Sequence, residues 1–175
     1  MSNIYTEENG IYCIDCSKAI WSTDQIHERY KAVGNFLSDV DFIIETKDKI
    51  ILVEYKNASI EGASNPEAFK PETDKKVDSV VRKFYDTLWY LKLAEKNKPV
   101  EYVYILEYPS GDSVSRKGIR NRIKDKLPFQ LQKKFNNNTS LIENFEVCSI
   151  DEWNNDSVYG MFPLKRIDDG KVFCG

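Results

Sequence analysis

Three residues have the types and spacing of a hydrolytic site: Asp41, Glu54 and Lys56. Asp41 opens the run Asp41-Phe42-Ile43-Ile44-Glu45. The other two close the run Ile50-Ile51-Leu52-Val53-Glu54-Tyr55-Lys56. Both runs are rich in β-branched and aromatic residues, and Lys47-Asp48 lies between them, which predicts a β-hairpin. A two-residue loop pairs Thr46 with Lys49 and sets Asp41 directly opposite Glu54. Facing residues have Cβ atoms about 4.5–5.5 Å apart, close enough for two carboxylates to repel. A divalent cation between them removes the repulsion, and oxygen ligands that leave waters in place suit Mg²⁺ or Mn²⁺. Side chains alternate along a strand, so Lys56 projects from the same face as Glu54. Its ammonium can hold a water and offset negative charge on a phosphorane-like transition state. A register slip of one residue would put the two carboxylates on opposite faces and destroy the site.

The elements that must position these residues read as a mixed α/β domain. The second strand of the hairpin is apolar on both faces, which marks a central strand. Lys and Glu at the end of such a strand need partners, because desolvating either alone costs several kcal/mol. Upstream, alternation predicts a short strand at 11–17. Ser22-Thr23-Asp24-Gln25 predicts a capping box opening a helix over 23–33, with Ile26, Tyr30 and Val33 on one face and Gly34-Asn35 at its end. Residues 57–73 predict a long loop containing Gly62, Pro66 and Pro71, unusual in a compact domain unless it has a task. Val77, Val80, Val81, Phe84, Leu88 and Leu91 mark one face of a strong helix that ends before Pro99. A strand over 100–108, one or two helices over 113–134 broken near Pro128, and a strand over 141–150 after an Asn-rich turn at 136–138 complete the pattern. The fold class is therefore α/β, a small mixed β-sheet flanked by helices on both faces.

Asp41 at the start of one strand, followed by Glu54-x-Lys56 on the next, resembles the active-site signature of the PD-(D/E)XK nuclease superfamily, which includes restriction endonucleases. The resemblance covers 23–108, and Val40 stands where the motif has proline. It implies a restriction-endonuclease-like αβββαβ core over 23–108 with a C-terminal extension over 109–175, the whole chain forming one domain. It also implies metal-dependent hydrolysis of nucleic-acid phosphodiesters. Asp41 and Glu54 match the metal-binding acids, and Lys56 matches the lysine. An acid on the first helix often completes such sites, which makes Glu28 the candidate and Asp24 the alternative. Glu28 lies about 200° around the helix from Ile26, away from the apolar stripe.

Charge suggests where a polyanion would bind. The chain carries a net charge of −3, yet residues 116–134 hold eight Lys and Arg against one acid. Arg116, Lys117, Arg120, Arg122, Lys124 and Lys126 fall at spacings that form a basic stripe along a helix, suited to tracking the phosphates of nucleic acid, DNA in the first instance. The same stripe is also what a solvated helix face looks like. A catalytically inactive fold that binds nucleic acid, or an interaction module using Trp21, Trp89, Trp153 and the ten tyrosines, stands beside the nuclease reading. A homodimer or a larger complex is compatible with each.

Other chemistries are narrowed by composition. A single histidine, His27, excludes His-rich zinc sites and the HExxH motif. Cys13-Ile14-Asp15-Cys16 is a lone CxxC without a second paired spacing, too little for structural zinc. Nucleotide-binding glycine motifs are missing. At 175 residues, 41% apolar and 30% charged, the chain has the size and balance of one globular domain. Its N-terminus lacks the pattern of a signal peptide and no apolar run approaches membrane-spanning length, so a cytoplasmic, reducing location without membrane contact is expected.

Overall fold

A computed structural model describes residues 3–34, 36–60, 62–63, 65–135 and 140–167. In chain order the elements are β1 (Ile4–Thr6), β2 (Tyr12–Asp15), β3 (Trp21–Thr23), α1 (Ile26–Ala32), β4 (Phe42–Glu45) and β5 (Ile50–Asn57). These are followed by α2 (Asp74–Leu93), β6 (Val100–Glu107), α3 (Ser113–Lys126), α4 (Phe129–Gln132), β7 (Asn144–Cys148), α5 (Ile150–Asn155) and β8 (Leu164–Arg166). A single 3₁₀ turn at Pro66–Ala68 interrupts the long loop after β5.

Five strands form one mixed sheet in the order β3-β4-β5-β6-β7. The hairpin β4–β5 is antiparallel and pairs Phe42 with Val53 and Glu45 with Ile50. Its turn is closed by the Thr46 N–H donating to the Lys49 carbonyl at 2.9 Å, so Lys47-Asp48 is the two-residue loop expected from sequence. The strands β5, β6 and β7 run parallel, with Glu54 beside Tyr104 and Lys56 beside Leu106. The second sheet, β1-β2-β8, is antiparallel.

Both faces of β5 are buried, as its sequence requires. On one face Leu52 and Ile43 pack with Ile26 of α1, Val77, Val80 and Phe84 of α2, and Ile119 and Ile123 of α3. On the other, Phe42, Ile51 and Val53 pack with Ile14 of β2, Trp153 of α5, and Phe162 and Leu164. The domain is therefore layered as helices, large sheet, then small sheet with α5. Helices thus lie on both faces, but on the second face α5 shares the cover with the small sheet, which the sequence reading does not place there. Periodicity within a short strand cannot say which layer it joins.

The order of elements also departs from αβββαβ. The third antiparallel strand, β3, precedes α1 and pairs with the far side of β4, Trp21 opposite Glu45. Only β4 and β5 lie between α1 and α2. The proposed capping box is not formed. Ser22 lies in β3 beside the Tyr5 hydroxyl, the N-cap is Gln25 without a side-chain bond, and the Thr23 hydroxyl accepts the Gln25 N–H. Gly34 ends α1 at φ +64°, donating to the Lys31 carbonyl. Asn35 and the turn at 136–138 lie outside the described residues.

The C-terminal part is built into both sheets: β7 extends the large one and β8 the small one. No described helix is long and apolar enough to cross a membrane.

Candidate active site

The antiparallel ladder of the hairpin stops at the pair Phe42–Val53, one residue short of Asp41. Beyond that point the Tyr55 N–H has no backbone acceptor on β4. The Asp41 carboxylate takes it, through Oδ2 at 2.7 Å. The segment leading to Asp41 is held from the helix side. The Ser38 N–H donates to Asp86 Oδ2 at 2.8 Å, and the Val40 N–H donates to the Thr87 hydroxyl at 3.3 Å. The two strands and α2 together therefore fix Asp41.

Asp41, Glu54 and Lys56 all line one cleft of about 650 Å³ at the end of β5. Lys56 is exposed at its mouth and Glu54 is buried in its wall. Asp24 and Asp39 line the same cleft from the segments flanking α1, His27 from the first turn of α1, and Glu8 from the turn between β1 and β2. From α2 come Lys76, Ser79, Val80 and Lys83, two helical turns of one flank. The loop after β5 contributes Phe69, whose ring packs edge-on against Tyr108 at 6.3 Å and carries the Lys76 ammonium 5.5 Å from its centre. His27 Nδ1 lies 3.3 Å from Asp39 Oδ1.

Lys83 is the residue that sequence reasoning missed. Its Nζ donates to Glu54 Oε1 at 2.7 Å and Oε2 at 2.8 Å. The Glu54 side chain is 9% exposed and that of Lys83 25%. Lys83 stands beside Phe84 at the margin of the apolar stripe of α2. That position says only that it sits at an edge of the buried face, not which acid it meets.

Electrostatics at the cleft floor favour added positive charge. Burial, and then the nearby Asp41 carboxylate, push the Glu54 carboxyl well above the usual carboxylate range. Burial also raises Asp41, against the opposing pull of Lys83 and the Tyr55 N–H, with Asp39 and Glu8 adding to the rise. Burial disfavours the Lys83 ammonium, but Glu54 and Asp41 outweigh it, so Lys83 holds its proton more tightly than usual. One ammonium thus bonds Glu54 and acts through space on Asp41, and the two carboxylates retain affinity for a further cation or proton.

The remaining expected site residues lie elsewhere. Glu28 is exposed on α1 and does not line the cleft, because Ile26 and Tyr30 turn inward and position 28 falls opposite them. The alternative acid, Asp24, does line it. No residue of α3 lines the cleft, and most cations of that helix serve internal carboxylates. Arg116 is buried and ion-paired to Glu152 at 3.2 Å, and Arg120 meets Glu146 at 3.0 Å. Arg122 holds Asp74 at 2.6 Å, and Lys126 is paired with Asp78. Lys124 lies over the Phe129 ring at 4.9 Å, while Lys117 is exposed. The basic run thus ties α3 to α2, β7 and α5 through four ion pairs, while Lys117, Arg122 and Lys126 stay exposed. The CxxC pair is buried, and Cys16 belongs to the second core cluster, where burial pushes its thiol up to about 12.

No family model, curated protein or solved structure matches the chain. The site must therefore be judged on its own donor set. Among the described residues no group of three or more His, Cys, Asp or Glu could hold a metal ion. That leaves a two-carboxylate floor, Asp41 and Glu54. Such a floor suits Mg²⁺, which binds through one or two carboxylates and keeps waters or substrate phosphate oxygens for the rest.

Proposed function

We propose that the chain is a Mg²⁺- or Mn²⁺-dependent phosphodiester hydrolase acting on nucleic acid. The observation that carries this reading is the meeting of half-buried Asp41 and buried Glu54 in one cleft, each carboxyl raised from its ordinary value by desolvation and Glu54 well above it. Two acids withdrawn from water beside a single ammonium are unfavourable for folding, and such arrangements concentrate at functional sites.

Asp41 and Glu54 are the residues that would hold the ion. Bound there, it would supply Lewis acidity toward a phosphate oxygen and lower the pKa of a coordinated water. The chain's own residues do the rest. Lys56, exposed on the same strand face as Glu54, presents an ammonium to the incoming phosphate. Lys76 adds a second cation from the rim, set by its contact with Phe69. The Tyr55 N–H orients Asp41 through Oδ2 and, with Lys83, opposes the rise that desolvation causes in its carboxyl. Val80, Tyr104 and Phe69 form the drier part of the wall.

A second reading has one observation in its favour. Lys83 bonds both oxygens of Glu54, as it would in an ion pair that serves only the fold of a non-cutting binding module. Incubation of purified protein with single- and double-stranded DNA and RNA, with Mg²⁺ or Mn²⁺, separates the two readings. The hydrolase cuts at least one substrate, stops with EDTA and loses activity in E54Q. Uncut substrate of every class, or equal cutting by E54Q, overturns the proposal.

A further inference from the structure

Resting on the metal-dependent reading above, we infer that Lys83 is an internal stand-in cation: its ammonium and a divalent ion are alternative partners of the Glu54 carboxylate. Three observations carry this. The Lys83 ammonium lies on both Glu54 oxygens, at 2.7 and 2.8 Å, so the contact that would bind an ion is already taken. Lys83 comes from α2, not from the hairpin, and its side chain is a quarter exposed and lines the open cleft, so it can leave without disturbing β5. The cleft also holds an acid outside the two that would take the ion: Asp39 lines it and attracts the Lys83 charge.

The arrangement answers a packing problem. Without a cation, buried Glu54 and half-buried Asp41 would leave two negative charges in one cleft, an unfavourable arrangement. An internal ammonium keeps the apo protein folded, at the cost of weaker metal affinity. Lys56 does not have this role. It lies at the mouth of the cleft and is exposed, so it can meet a substrate without competing for Glu54.

Mn²⁺ binding measured by calorimetry on wild type, K83M and K56M tests the inference. Removing a competitor held by charge-assisted hydrogen bonds should tighten Mn²⁺ binding by at least about tenfold in K83M. Simple loss of a nearby positive charge applies to K56M as well, and there the gain should stay below about threefold. The wild-type protein offers a second measurement that needs no variant. Lysine acetylation followed by mass spectrometry should find Lys83 protected in the apo protein and labelled faster once Mn²⁺ is added. If wild type binds Mn²⁺ while K83M binds no tighter, or Lys83 labelling does not rise, the inference falls and the metal-dependent reading stands. If neither wild type nor K83M binds Mn²⁺, both fall.

Discussion

Asp41 Oδ2 accepts the Tyr55 N–H at 2.7 Å, so the carboxylate of one strand completes the ladder of the next at the point where the backbone pairing ends. This bond places Asp41 on the cleft side of the hairpin beside Glu54. It also gives Asp41 a structural duty that is separable from any chemistry. D41N retains an acceptor for the N–H but loses the charge.

The first prediction concerns that charge. D41N and E54Q should each lower Mg²⁺-dependent cleavage by about 100-fold or more, since even outer-shell changes at metal sites cost about 10–100-fold. Both variants should keep the wild-type far-UV circular dichroism. Cleavage rates at saturating Mg²⁺ check the expectation, and a rate within threefold of wild type for either would count against it.

The ion pair between Glu54 and Lys83 predicts an unusual stability pattern. K83M alone leaves a buried carboxylate without its cation and should cost about 2 kcal/mol. That is less than the ~3–5 typical of a broken buried pair, because Lys83 is 25% exposed. The double variant E54L/K83M removes both charges and should be as stable as wild type, or more stable by about 1–4 kcal/mol. Urea unfolding of the three proteins decides the matter. A double variant less stable than K83M would show that the pair is a net stabiliser.

Stability should fall with rising pH across the range in which these acids titrate. The folded-state pKa values of Asp41 and Glu54 lie above the ordinary values of 3.8 and 4.5 for these side chains. Between those values and the raised folded ones, the native protein binds more protons than the unfolded chain, so neutralising the pair becomes costlier as pH rises. D41N/E54Q removes this contribution. Its melting temperature, relative to wild type, should climb with pH above about 4.5 in metal-free buffer. Parallel profiles for the two proteins would contradict the raised values.

Glu45 should behave in the opposite sense. Bonds from Lys96 at 2.6 Å and Lys98 at 2.9 Å hold its carboxyl below the usual range, and Lys96 also lies 4.4 Å from the centre of the Trp21 ring. Its contribution is present above the ordinary glutamate pKa and is lost as pH falls through the lowered one. E45Q should therefore destabilise the neutral protein by about 1 kcal/mol and have little effect once wild-type Glu45 is itself protonated. Thermal melts of both proteins between neutral and strongly acid pH test this.

Polyanion binding should run through the cleft mouth and not through α3. Arg122 and Lys126 are committed to Asp74 and Asp78, so R122Q/K126Q should leave the salt dependence of DNA affinity unchanged and cost about 0.5 kcal/mol or less per exposed pair. K56Q/K76Q should reduce the slope of log K against log[salt] by about 0.9 per lost phosphate contact on duplex DNA. Fluorescence anisotropy over a salt series gives both slopes, and a flattening by R122Q/K126Q alone would return the interface to α3.

The hairpin and its register followed from the sequence by itself. Turn length and side-chain alternation are local, so Lys47-Asp48 is enough to align Phe42 with Val53, and the cleft at the end of that ladder is lined by Asp41, Glu54 and Lys56. The apolar stripe of α2, from Val77 to Leu91, was equally local. Tertiary structure alone decided which charges meet. Lys83 finds Glu54 because a particular flank of α2 crosses the end of β5, and no spacing within α2 encodes that crossing. Asp24 rather than Glu28 reaches the cleft because the helix begins at Ile26, after β3 has joined the sheet out of the expected order. The basic residues of 116–134 looked free in one dimension. In three, Asp74, Asp78, Glu146 and Glu152, distant along the chain, approach them and take up their charge. Local geometry depends on neighbours a few residues away, whereas an ion pair depends on the docking of whole elements, which the buried apolar faces determine.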